Sequence, residues 1–216
     1  MTPFHRTPSE ELYEHLNKLV KEVLRDDYHT LSIEHLSLKE DILKESSCIS
    51  CVLKIGETKY TIEGGGRGIV DALFSSLIET LETKFVSLRN LTLMDFSVEA
   101  VFGKKHVKRS NTDAEVEVRI LIRSSDNDFI FRESSPSMNT AAIKTVLKVV
   151  EHFTNSERAV EIIYNCIRDA RKRCRGDLVG QYLKTLTELV RSINYEKKIK
   201  TILEENMECE ISHKDS

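Results

Sequence analysis

No run in the 216-residue sequence approaches the roughly 18 consecutive apolar positions of a membrane-spanning helix. Met1 to Ser9 lacks the apolar centre of a signal peptide. Together these absences predict a soluble, cytoplasmic protein that engages no membrane. An excess of one charge is missing too: 32 Lys and Arg stand against 35 Asp and Glu, giving a net charge of -3 and a pI near 6.2, with the signs interspersed. A chain without a basic field recommends no nucleic-acid partner. Five cysteines (Cys48, Cys51, Cys166, Cys174, Cys209) are too few, and odd in number, for a disulfide framework. Cys48 and Cys51 do form a CxxC. They lie in "CISCVLKIG", which reads as a strand, so they point to opposite faces and serve neither as a shared metal site nor as a redox pair.

Present instead is enough apolar sequence, 40% against 31% charged, to bury a core. Pro8 and Ser9 open a helical stretch with Leu12, Leu16, Leu19, Val20 and Val23 on one face, ending near "RDDYHT". "LSIEHLSL", "CISCVLKI" and "KYTIEG" then alternate with period two around the turns "KESS" and "GET", which predicts three strands. A helix follows, striped by Val70, Leu73, Phe74, Leu77, Ile78 and Leu81.

The same order returns in "LTLMDFSVEAVF", "AEVEVRILIRS", "DFIFRE" and the helical "SMNTAAIKTVLKVVEHF". An offset of 69 matches Ile49 to Val118, Cys51 to Ile120, Leu53 to Ile122, Tyr60 to Phe129, Ile62 to Phe131, Ala72 to Ala141 and Leu77 to Val146. We read a tandem duplicated βββα unit. The first strands match less cleanly, because "GKKHVKRSNT" lengthens one loop of the second half. The expected fold class is α+β, with an N-terminal helix (1–27), the duplicated domain (28–153) and a helical C-terminal extension (154–216) that breaks near Gly176 and frays over "ECEISHKDS".

The junction "YTIEGGGRGIVDAL" is the candidate site. It fits neither GxxxxGK[ST] nor GxGxxG, which would need glycine at Ile69 or Asp71, and Asp71 in the first helical turn would repel a phosphate. Two readings stay open. The glycines let the helix pack close on its sheet, or Gly66, Gly68 and Asp71 serve the two ends of an amino-acid zwitterion, helix-start amides for its carboxylate and Asp71 for its ammonium. Other clusters carry less. His29 and His35 are too far apart for joint ligation, Ser134, Ser135 and Ser137 have no nearby base, and the basic run from Arg168 to Arg175 wraps round a helix as a solvated face.

"GRGIVDALFSSLIETL" resembles the G-x-G-x-V-D-A-L segment of the C-terminal regulatory domain of alpha-isopropylmalate and citramalate synthases, through Gly66, Gly68, Val70, Asp71, Ala72 and Leu73. "FSVEA" with "TDAEVEVRI" is similar to the second-half pattern of that domain, through Thr112, Asp113, Ala114 and Val116. The resemblance covers about residues 28 to 153, and that domain too is built from two βββα units. It implies a noncatalytic, dimeric, allosteric domain binding a branched-chain amino acid, leucine or isoleucine, with no cofactor. It further implies that Gly66 and Gly68 shape the loop, that Asp71 meets the ammonium, that Leu73 and Leu77 border an aliphatic pocket, and that Val70 and Asp113 belong to the site. The catalytic barrel of that family, roughly 250 residues, is missing, and the seven histidines form no His-x-His pair for its divalent metal. A separate barrel subunit is therefore an expected partner alongside a second copy of the chain. The alternatives are a scaffold protein that kept the fold without the ligand and the regulatory subunit of a split acyltransferase.

Overall fold

Strand and helix periodicities resolve into two βββα units in a computed structural model that describes residues 7–101 and 115–190. Helix α1 (Pro8–Leu24) starts where proline's fixed backbone suits the first helical turn. There the Glu10 carboxylate accepts the Thr7 N–H at 2.9 Å. The first unit follows as β1 (Leu31–Asp41), β2 (Ser46–Ile55), β3 (Thr58–Gly66) and α2 (Gly68–Leu81). The second is β4 (Leu91–Val101), β5 (Glu115–Ser124), β6 (Asn127–Ser135) and α3 (Met138–Lys172), after which α4 (Gly176–Val190) closes the described chain. Each unit forms its own antiparallel sheet, ordered β1-β2-β3 and β4-β5-β6. The loop "GKKHVKRSNT" and the C-terminal tail lie outside the described residues.

The duplication holds at the level of hydrogen-bond register. Pairs from Ser47↔Gly66 to Ile55↔Thr58 recur, shifted by 69, from Val116↔Ser135 to Ser124↔Asn127. The first strands follow a different offset, 60: Leu31 opposite Ile55 becomes Leu91 opposite Ser124, and Leu36 opposite Cys51 becomes Phe96 opposite Ile120. Both strands shift register at the same point, after Ile33 and after Leu93. Their poor match in sequence is thus a change of offset across the longer β4–β5 connection, with the bulge retained.

α2 packs on β3 and β2, α3 on β5 and β6, and the two helices touch, so one hydrophobic cluster runs through both units. α1 lies against α3 and β6, and α4 against α3. Where the sequence suggests a helix ending near residue 153 and a separate extension, α3 runs unbroken for 35 residues. The next break falls at Arg173–Arg175, and Gly176 opens α4.

The polar residues in the middle of α3 explain its continuity. Glu151 accepts the Tyr28 hydroxyl and the Leu31 N–H, both at 2.8 Å. Asn155 accepts the His29 N–H at 3.0 Å and donates to the His29 carbonyl at 2.8 Å, and Arg158 donates to the Asp27 carbonyl at 2.5 Å. Spaced four and three apart, they present one face of the helix to the segment joining α1 to β1.

Among the described residues, the buried imidazole of His152 stays uncompensated. His152 is 1% exposed, and neither ring nitrogen has a hydrogen-bond partner among the described residues. Its ring packs against Tyr13 and Phe153, centroids 5.1 Å away in each case, and burial pushes its pKa from 6.5 down to about 3. Between those values the unfolded chain binds a proton that the folded chain refuses, so stability drains away as pH falls below about 6.5. His152→Leu is expected to flatten this slope by up to about 1.4 kcal/mol per pH unit while leaving neutral-pH stability equal or higher. Urea midpoints at neutral and mildly acidic pH check it; parallel pH curves for the two proteins would contradict it.

Candidate functional site

The glycines of "EGGGRG" fall largely inside the sheet. Gly64, Gly65 and Gly66 are the last residues of β3, paired to Ile49, Cys48 and Ser47. A Cβ on Gly66 would sit 2.6 Å from the Ala72 backbone nitrogen and 2.9 Å from its Cα. One on Gly64 would sit 2.0 Å from the Ser76 hydroxyl. Ala72 and Ser76 are four residues apart on α2, so the helix crosses its strand where β3 has no side chains. This is the packing reading of the glycines, and backbone atoms at Gly66 give it no slack.

Gly68 differs, because its φ of +82° is a left-handed conformation while no atom would crowd a Cβ there. It is the first residue of α2, and Arg67 before it provides no side-chain cap. Asp71 instead turns back, its Oδ2 accepting the Arg67 N–H at 2.7 Å. That bond uses one of the two carboxylate oxygens. At the matching junction of the second unit, the Ser137 hydroxyl caps α3 by accepting the Thr140 N–H at 3.4 Å. The duplicated helices therefore start differently: α3 satisfies an early amide with a side chain, whereas the N-cap residue of α2 supplies no side-chain acceptor.

Gly66, Gly68 and Asp71 thus meet at one partly exposed corner. Val70 is buried, and Leu73 and Leu77 are fully buried in the hydrophobic cluster. Neither the cleft of about 460 Å³ beside α1 nor the cavity of about 240 Å³ near the α2 C-terminus is lined by any of these residues. Asp113, with Thr112 and Ala114, lies outside the described residues.

The edge strand of the second sheet carries a feature that periodicity alone hides. Phe96 and Val98 stand opposite the fully buried Ile120 and Val118, hence on the core-facing side, yet they are 49% and 41% exposed. Their counterparts Leu36 and Leu38 on β1 pack against the core. Alternation marks both strands as half-buried, and nothing local in "FSV" tells that the covering layer stops short.

Residues 12–154 match the family model described as the LeuA allosteric (dimerisation) domain, a span that takes in most of α1, the first βββα unit and the second unit as far as the middle of α3. No curated protein matches the chain.

Gly66→Ala is expected to destabilise the fold by about 1–3 kcal/mol, since the new methyl meets backbone that cannot step aside. Gly68→Ala is expected to cost about 1–2 kcal/mol through backbone strain alone. Denaturant unfolding at one pH measures both, and a Gly66→Ala protein as stable as the parent would show that α2 does not ride on the strand.

Proposed function

Because the chain belongs to the LeuA allosteric (dimerisation) domain family, we propose that it acts in the cytoplasm as a noncatalytic sensor, dimeric and responsive to a branched-chain amino acid, leucine or isoleucine. The observation that carries this reading is the start of α2, where the N-cap residue Arg67 supplies no side-chain acceptor and the Asp71 carboxylate turns back to the Arg67 N–H. A helix N-terminus attracts a carboxylate, and a carboxylate beside it suits an ammonium. An α-amino acid carries both groups one carbon apart. Val70, Leu73 and Leu77 of the same helix and Asp113 belong to the proposed site through the two family motifs, the three apolar residues lying buried behind the helix start.

The exposed, core-facing Phe96 and Val98 support a dimer built on β4, because a second copy would cover the surface this chain leaves open. In this reading catalysis belongs to a separate barrel subunit, whose activity the effector adjusts. A second reading, an assembly domain that kept the fold without the ligand, is favoured by the complete burial of Leu73 and Leu77.

Calorimetric titration with leucine, isoleucine and valine separates the two. If the amino-acid reading holds, Asp71→Asn weakens binding by about 2 kcal/mol or more through loss of the counter-charge. The asparagine oxygen can still accept the Arg67 N–H, so folding changes little. Silence of the parent toward all three amino acids would favour the assembly domain. For the dimer, Phe96→Asp is expected to shift light-scattering mass from two chains to one without loss of helicity; a parent that is monomeric at micromolar concentration removes this claim.

A further inference from the structure

Away from the glycine junction, the cleft of about 460 Å³ opens between one face of α1 and one face of α3, a size suited to a small molecule. Its charged lining is Lys21, Lys144 and Lys148 against Glu133 and Glu151, a balance of one positive charge. Both glutamates are engaged by the protein itself. Glu151 accepts at each oxygen, from the Tyr28 hydroxyl and the Leu31 N–H, and Glu133 accepts from the Lys148 ammonium at 2.7 Å. Lys148 also donates to the Arg132 carbonyl at 3.0 Å, which fixes it in place.

Lys21 and Lys144, by contrast, form no ion pair among the described residues, and both are exposed at the mouth of the cleft. Lys21 is steadied by the Tyr28 ring, 5.3 Å from its centroid. The lining also offers neutral donors, the Asn17 amide and the Tyr13 hydroxyl. Burial and the neighbouring Glu151 raise the Tyr13 pKa, so that hydroxyl keeps its proton and faces an acceptor well. Leu31 and Leu147 complete the lining with apolar surface.

We propose that this cleft binds a small aliphatic monocarboxylate, its carboxylate taken by Lys21 and Lys144 and its hydrocarbon laid against Leu31 and Leu147. The single surplus charge matches a monoanion. A zwitterionic amino acid fits poorly, since its ammonium would meet lysines and carboxylates already occupied. The site is thus distinct in chemistry and in place from the start of α2, and it stands whether or not an amino acid binds there.

The test uses the whole chain with 4-methylpentanoate and the uncharged 4-methylpentanamide, followed by calorimetry and by amide NMR shifts. Saturable binding of the carboxylate is expected, with shifts on α1 and α3, and about tenfold or weaker binding of the amide. The Lys21→Met, Lys144→Met double variant should lose about tenfold or more in affinity; both side chains are exposed, so its urea midpoint should stay with the parent's. Asp71→Asn should bind 4-methylpentanoate as the parent does. Absence of saturable binding at about 20 mM, equal binding of the amide, or an unaltered double variant would each overturn the proposal. Loss of binding in Asp71→Asn with retention in the double variant would also overturn it, by moving the ligand to the glycine junction.

Discussion

The arrangement of the first unit depends on how near α2 comes to β3. At Gly66 the strand backbone and the Ala72 backbone leave no room for a methyl group, and at Gly64 the Ser76 side chain fills the space a side chain would take. This contact sets the height of the helix above its sheet. It thereby decides how far Leu73 and Leu77 reach into the common core, where both are fully buried. It also puts the strand's last residue and the helix's first turn within one short connection, Arg67, so the backbone reverses sharply enough to need the left-handed Gly68. Packing and the uncapped start of α2 are two outcomes of one close approach.

The second unit solves the same junction with different chemistry. Ser135 takes the place of Gly66 in the register and is buried, and Ser137 caps the helix. Two copies of one βββα plan have thus diverged at the point where strand hands over to helix, while their hairpin registers remain identical. Divergence is equally plain on the edge strands: β1 touches α3 and its Leu36 and Leu38 pack against the core, whereas β4 keeps Phe96 and Val98 half uncovered. Beyond residue 153, α3 holds the α1–β1 segment through Asn155 and Arg158.

Much of this plan is legible in the residues. Period-two alternation finds the strands and an offset of 69 finds the register, because cross-strand partners must share a face and apolar character survives at paired positions. Three things escape. "GGG" looks like a loop, since glycine disfavours strands, but it is paired backbone because the partner layer lies too close for anything larger. "FTNSERA" looks like the end of a helix, since Thr154, Asn155 and Ser156 are poor helix formers, yet Asn155 is held by the His29 backbone more than a hundred positions away. The cleft between α1 and α3 is assembled from segments equally remote, and no local pattern announces it. Of the candidate site, the meeting of Gly66, Gly68 and Asp71 was readable from a short motif. The depth at which Leu73 and Leu77 lie is set by tertiary packing.

An unbroken α3 has a mechanical meaning. At about 1.5 Å of rise per residue, its 35 residues make a rod roughly 50 Å long. One end rests on the second sheet; the middle holds the α1–β1 segment; the far end carries α4. A rod of that length converts a tilt of about 5° at one end into a displacement of about 4 Å at the other, the scale on which packed helices change their register. Without a proline or glycine along it to take up the bend, any tilt imposed at the second sheet is delivered to α4 almost undiminished.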